Sequence, residues 1–226
     1  MLFKDRAEAG KKLADLLKKN FSSPKKREKL IVVSLLRGGI VVGAELSIGL
    51  QIPHLPLAVA KIAPPYNPEL AIGSLCFDSI YLNYDLIKTL DLDSKTINEQ
   101  IKLAKEKFFS YIKRFNLSRS LYKRKMKNKE VIIVDDGIAT GSTLKACLFF
   151  IKICGAKKIY LASPVAPTDF QPSGFNQAFI LSYEPFFSAV SRFYESFPQI
   201  EDIQIKAFFP KLFRKKKNDR YRSSEE

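Results

Sequence analysis

Residues 131–143 read VIIVDDGIATGST. Four apolar residues run into two adjacent carboxylates, and those run into glycines and hydroxyls. In an open parallel sheet, ligands bind at the carboxyl ends of strands, where loops lead into helices. A strand closing at Val134 delivers Asp135 and Asp136 to such an edge. Side chains alternate along a strand, so the two carboxylates need not face one another. Neighbouring like charges are unfavourable unless water, cations or hydrogen-bond donors satisfy them, and a sugar diol offers two donors. The loop 137–143 meets a different need. Backbone N–H groups at the start of a helix favour an anion such as phosphate. Hydroxyls of Thr140, Ser142 and Thr143 add donors, and Gly137 and Gly141 permit close backbone approach. A ligand with a diol at one end and a phosphate at the other is a ribose 5-phosphate.

Two commoner phosphate loops do not fit. Ser142 stands where the lysine of a P-loop would be, and Ala139 breaks the Gly-x-Gly-x-x-Gly dinucleotide pattern. Taken alone, DDG is a turn and ST a helix cap; the reading rests on the whole run from strand to helix. A second constellation is SLLRGGI, which closes an earlier apolar run and opens a helix at Gly38 and Gly39. Glycines there let backbone amides turn toward an anion, and Arg37 supplies a positive fork. Taken alone, this too reads as a strand–helix turn with a surface arginine.

Other chemistries find little material. Cys76, Cys147 and Cys154 form no CxxC pair, give no metal-ligand spacing and fit reduced, buried thiols. His54, the single histidine, lies between prolines and reads as a packed or loop residue rather than a catalytic one. The 38 basic against 23 acidic residues favour polyanionic partners or phosphorylated ligands, although lysines also serve solubility. The opening MLFKDRAEAGKK is charged from the start, and Arg37, paired glycines and Glu45 interrupt the apolar region 30–50. A soluble, cytoplasmic protein is the expectation.

The elements that must position these residues alternate. A helix from Asp5 to about Asn20 carries Leu13, Leu16 and Leu17 on one face. KLIVVSL is a strand buried on both faces, GGIVVGAELSIGL a helix, and LPLAVAKI a second strand. The prolines of APPYNPELAIGSLCFDSIYLN suggest an exposed loop leading into a hairpin. Ile97, Ile101, Ala104, Phe108, Ile112 and Phe115 recur at helical steps. EVIIVDD is a strand and STLKACLFFIKICG its following helix, with Gly155 as C-cap. KKIYLASPVAP and QAFILSYEP are further strands, and FFSAVSRFYESF a last short helix. Strands alternating with helices predict an α/β fold with a mainly parallel sheet. One domain over 1–209, followed by a basic, mobile tail over 210–226, is the expected organisation.

With these residues in view, the chain resembles the type I phosphoribosyltransferases. VIIVDDGIATGST looks like the signature with which that family holds the ribose phosphate of 5-phosphoribosyl 1-pyrophosphate (PRPP). FKDRAEAGKKLADLL, RGGIVVGAEL, NPELAIG, DDGIATG and SPVAP are similar, in order, to a bacterial subgroup of poorly characterised phosphoribosyltransferase-like proteins. The resemblance covers Phe3 to roughly Phe209 and implies a twisted, mainly parallel sheet flanked by helices, with a small hood or flap region. It implies that Asp135 and Asp136 hold the diol, and that Gly137, Ala139, Thr140, Gly141, Ser142 and Thr143 serve the 5′-phosphate. Leu36, Arg37, Gly38 and Gly39 become the pyrophosphate loop, and Lys61 adds a charge to it. Asp135, Asp136 and Arg37 are then the candidate catalytic residues.

Three positions depart from the relatives. The subgroup usually has proline at 36 and arginine at 60, where this chain has Leu36 and Ala60. Loss of a cation at position 60 would weaken pyrophosphate binding. Ala139 stands where purine-salvage members carry an aspartate, which argues against a 6-oxopurine acceptor. The reaction implied is displacement of pyrophosphate from C1 of PRPP by a nitrogen nucleophile of a base or amine, with Mg²⁺ bridging substrate oxygens and no protein metal ligands named. The segment 66–84, with Asn67, Glu69 and Asp78, is a candidate water-excluding flap, and Phe186, Phe187, Tyr194 and Phe197 are candidates for an acceptor pocket. The resemblance also suggests a homodimer. A second reading keeps the PRPP site but makes the protein a regulator binding nucleic acid. It rests on KRFNLSRSLYKRKMKNK and the RKKKNDRYR tail, with no helix-turn-helix or RNP motif to support it.

Overall fold

The structure, a computed structural model, describes residues 2–68 and 70–208. The tail predicted over 210–226 and Glu69 of the candidate flap lie outside the described residues. Five strands form a parallel sheet in the order β2-β1-β6-β7-β8: His54–Leu57, Leu30–Leu35, Glu130–Val134, Lys158–Pro167 and Gln177–Glu184. Its central strands are buried on both faces. On β1, Ile31, Val33 and Leu35 join one apolar cluster while Leu30 and Val32 join the other; Val131 and Ile133 of β6 oppose Ile132 and Val134 in the same way. That two-sided burial is why these strands are continuous apolar runs rather than alternating ones.

Helices α1 (Arg6–Asn20) and α3 (Gly39–Leu50) cover one face. The Asp5 side chain caps α1 by accepting the Glu8 N–H, as the sequence predicts. Helices α1 and α3 approach closely because Gly10 and Gly49 carry no side chain: a Cβ on Gly10 would come within 2.7 Å of the Val42 carbonyl, and one on Gly49 within 2.5 Å of Ala14 Cβ. The other face is covered by α5 (Ser94–Phe115), α6 (Arg119–Met126) and α7 (Ser142–Ile153). Gly155 follows α7 at φ 82, the left-handed stop expected there.

A smaller antiparallel sheet, β3 (Ala60–Ile62), β4 (Gly73–Cys76) and β5 (Ser79–Leu82), packs against α5 and α7. It corrects one expectation. LPLAVAKI is not one strand: β2 ends at Leu57, and β3 belongs to the other sheet. Apolar β-formers on both sides of the break conceal it. The predicted hairpin is present as β4 and β5. FFSAVSRFYESF is also different, a single 3-10 turn at Val190–Phe193 rather than a helix. Short helices α2 (Pro24–Arg27), α4 (Tyr84–Thr89) and α8 (Asp202–Ala207) complete the described elements. His54 lies in β2, where its Nε2 sits 2.6 Å from Ser34 Oγ, and burial pushes its pKa down to about 4. It is a packed residue, as expected.

Candidate functional site

The strand order 2-1-3-4-5 within the larger sheet has its reversal between β1 and β6. From β1 the chain crosses to β2 by way of α3 on one face, and from β6 to β7 by way of α7 on the other. The loops after β1 and β6 therefore lead to helices on opposite faces, and the switch point between them is where open α/β sheets have their ligand-binding crevice. Those two loops are 36–39 and 135–141, the two constellations found in the sequence.

They meet through their smallest and most charged residues. A Cβ on Gly38 would lie 1.7 Å from Asp136 Oδ2, and one on Gly39 would lie 3.0 Å from Asp135 Oδ1. Gly38 has an ordinary helical φ of −62, so glycine is required there for space and not for conformation. The Leu36–Arg37 peptide bond is cis.

The two carboxylates have different surroundings. Asp136 Oδ2 receives a hydrogen bond from Arg6 Nε at 2.7 Å, and both side chains are largely buried. Arg6 also donates to the Pro198 carbonyl at 2.7 Å and lies 3.5 Å from the centroid of the Phe197 ring. Tyr194 O–H donates to the Asp136 carbonyl at 2.6 Å. Asp135 Oδ1 accepts the Asp136 N–H at 2.9 Å. Burial and then the Asp136 charge push the Asp135 pKa well above the usual carboxylate range, an effect that the Asp136 N–H and, after it, the Arg6 charge oppose only in part.

The anion loop is braced from three sides. Ile138 N–H donates to the Val165 carbonyl of β7, Ser74 Oγ donates to the Ser142 carbonyl at 2.6 Å, and Thr140 Oγ1 lies 3.1 Å from Ser142 Oγ. Gly141 takes φ 69 as the N-cap of α7, with the Phe170 ring where its Cβ would be. At the N-terminus of α7 the Ser142 N–H reaches Thr140 Oγ1 at 3.4 Å and the Leu144 N–H donates to the Gly141 carbonyl at 3.0 Å, and the positive end of the helix dipole points out of the loop. Ala139 and Thr140 are exposed. The arrangement can hold a phosphate at α7 and hydroxyl donors at Asp135.

Other predicted residues are placed less simply. The Arg37 guanidinium does not lie open toward an anion. It donates to Tyr111 Oη at 3.1 Å and the Ile200 carbonyl at 2.9 Å, and pairs with Asp202 at 2.8 Å. Tyr111 first, and then Asp202, raise its already high pKa against the opposing effect of burial. Asp202 is shared with Arg114 at 2.7 Å. Lys61 lies in β3, opposite Ser74 of β4, and not at the end of a strand of the larger sheet. Ala60, beside it, belongs to the main apolar cluster. Within the candidate flap, the β4–β5 hairpin is docked on the anion loop through Ser74, and Asp78 pairs with Arg119. Tyr194 and Phe197 pack around Arg6 and Asp136, whereas Phe186 is 88% exposed.

Sequence reasoning missed Arg6, Tyr111 and Asp202. Arg6 stood in the quoted FKDRAEAGKK, but its partner lies 130 residues on, and no local pattern reports such a pair. Among the described residues no group of three or more His, Cys, Asp or Glu side chains stands ready to hold a metal, and no helix is long and apolar enough to cross a membrane.

A family model for the phosphoribosyl transferase domain matches residues 3–172. The chain is 32% identical, over 94% of its length, to "Putative phosphoribosyl transferase Rv0571c" of Mycobacterium tuberculosis H37Rv, and equally to "Putative phosphoribosyl transferase MT0597" of strain CDC 1551. It spans 47% of the length of each, about half of the curated relatives it matches. Among solved structures it is similar to TT1426 from Thermus thermophilus, at 25% identity and a TM-score of 0.65, covering 94% of this chain and 99% of that one. A parallel sheet with its crevice between a Gly-Gly loop and an acidic pair, and a family model spanning both loops, lead to one statement: the chain belongs to the phosphoribosyl transferase domain family.

Proposed function

We propose that the protein is a phosphoribosyltransferase that binds PRPP across the β1–β6 crevice and transfers its phosphoribosyl group to a nitrogen nucleophile of a base or amine. The observation that carries this reading is the contact of Gly38 and Gly39 with the Asp136 and Asp135 carboxylates, which joins the two loops into one site. Asp135, with Asp136 fixed beside it, holds the ribose diol. Residues 137 and 139–143 with the N-terminus of α7 take the 5′-phosphate. Backbone groups of 36–39 take the pyrophosphate. Arg37 contributes its N–H and a positive field, its fork being occupied by Tyr111, Ile200 and Asp202; Lys61 is a further candidate cation.

Displacement at C1 proceeds through a transition state of oxocarbenium character. The chain's task is to fix the ribose, neutralise the leaving group and exclude water. Two adjacent carboxylates fit a Mg²⁺ that keeps its waters and substrate oxygens better than one caged by protein, with Asp135 the carboxylate less engaged by a cation. Bound there, Mg²⁺ would offset the negative charge of the departing pyrophosphate. The exposed segment around Tyr66, 97% exposed, is the part of the candidate flap left to close over the crevice. We also propose a homodimer and a cytoplasmic setting.

The test is a screen of nucleobases and primary amines for PRPP- and Mg²⁺-dependent pyrophosphate release. An acceptor that releases pyrophosphate in the wild type and not in Asp135→Asn supports the reading. PRPP binding with no turnover of any base or amine would leave a binding protein in place of an enzyme.

A further inference from the structure

The excess positive charge of the chain is concentrated at one end of the fold. The central strands β1, β6 and β7 begin side by side, with Leu30, Glu130 and Lys158 in register. The segments that feed them are 18–29, 123–129 and 152–158. They hold 14 of the 31 Lys and Arg among the described residues, and one acid, Glu28. All other described residues together carry 17 basic and 18 acidic side chains. The net charge of the described chain is therefore the charge of this edge.

The three segments are also knitted into one surface. Glu130 N–H donates to the Lys29 carbonyl at 2.9 Å, Lys157 N–H to the Lys129 carbonyl at 2.8 Å, and Lys129 Nζ to the Glu28 carbonyl at 2.8 Å. Twelve of the 14 cations are exposed. Lysines in the last turns of α1, α6 and α7 complement helix dipoles. That accounts for only part of the cluster, because Lys29, Lys127, Lys129, Lys157 and Lys158 lie outside any helix.

We infer that this edge, at the opposite ends of the strands from the proposed PRPP site, is a docking surface for the phosphate backbone of a nucleic-acid duplex. Charge complementarity selects a polyanion. The sheet edge flanked by helix ends on both faces is a broad surface some 20 Å across, given layers about 10 Å apart. Stacking on aromatic residues marks single-strand binders, and the only aromatic residue in these segments, Phe21, is buried. Anchoring in a membrane calls for exposed apolar residues, and of the large ones only Ile153 falls here. Twelve of the 14 cations are lysines, point charges suited to phosphates and not to forked base recognition, so binding is independent of sequence.

The test is fluorescence anisotropy of the full chain with a mixed-sequence 24-base-pair duplex, its single strand, and phosphatidylserine vesicles read by co-sedimentation. Duplex affinity is expected to fall about 10³-fold between 50 and 200 mM salt if about six phosphates are engaged. Lys26→Glu/Lys29→Glu/Lys157→Glu should weaken it at least about 30-fold and flatten the log–log salt slope by about 3. Lys102→Glu/Lys105→Glu/Lys107→Glu on α5 makes the same change in net charge and should cost less than about 3-fold. Both variants should keep the wild-type melting temperature. Equal loss in the two variants, no loss in the edge variant, or preference for the single strand or the vesicle would overturn the assignment.

Discussion

Asp136 Oδ2 lies between Arg6 Nε, 2.7 Å away, and the position of a Cβ on Gly38, 1.7 Å away. One carboxylate oxygen thus connects the first helix, the strand-end acidic pair and the Gly-Gly loop. The close approach of α1 to α3 sets where Arg6 stands, and Arg6 sets where Asp136 points.

Gly38→Ala tests that packing. The new methyl group meets a carboxylate that cannot swing away without breaking its pair with Arg6. We expect a destabilisation of about 1–3 kcal/mol and a loss of PRPP affinity of at least about tenfold, measured by thermal melting and calorimetry. Unchanged affinity would mean that the two loops move independently.

The two aspartates should respond in opposite ways to neutralisation. Asp135 has a raised folded-state pKa, so its contribution to stability is present below the unfolded carboxyl pKa and is lost as pH rises through the folded one. Above the unfolded carboxyl pKa, ionising this side chain in the folded protein is a cost. Asp135→Asn, which can still accept the Asp136 N–H, is expected to raise the melting temperature by some 2–4 °C for about 1 kcal/mol. Asp136→Asn leaves Arg6 buried without its counter-charge and should destabilise by about 3 kcal/mol. Denaturant titration of the two single variants at pH 7 measures the contrast.

Arg6→Met removes the cation but not the acids. Without the Arg6 charge, Asp135 holds its proton to higher pH. The acidic limb of PRPP binding should move upward, and Arg6→Lys should restore part of it. A purely structural role for Arg6 would lower the folded fraction and leave that limb in place.

His54 gives the fold a pH dependence of its own. Its pKa is about 4 when folded, against 6.5 for an ordinary histidine, so the unfolded chain takes up a proton first as pH falls. Stability is full above about pH 6.5 and declines toward pH 4 by at most about 3 kcal/mol. His54→Gln should flatten that slope between the two pH values in urea titrations.

What the sequence revealed, and what it hid, divides by range. The run from Val131 to Thr143 was legible because a buried strand, a strand-end acidic pair and a helix start are each encoded locally. The crevice was legible too, since the alternation of strands and helices implies a parallel sheet and its edge. Helix α6 was passed over inside a basic run, although Ser118 caps it by accepting the Leu121 N–H. The break between Leu57 and Ala60 was hidden, because apolar strand formers do not say which sheet they join. FFSAVSRFYESF misled for a related reason: Phe193 and Tyr194 are spent on packing against Phe3 and Val165, which a short apolar run satisfies without a helix. Arg6 and Asp202, which hold Asp136 and Arg37, pair across 130 and 165 positions of chain, and only the folded structure brings them into view.

The most direct measurement is calorimetric titration of PRPP with Mg²⁺ into the wild type and into Asp135→Asn. This variant is chosen because it should be the more stable of the two, so that lost binding cannot be lost folding. The account predicts saturable one-site binding in the wild type and none in the variant, alongside a higher melting temperature. A folded wild type that gives no binding heat, or a variant that binds as tightly, would contradict it.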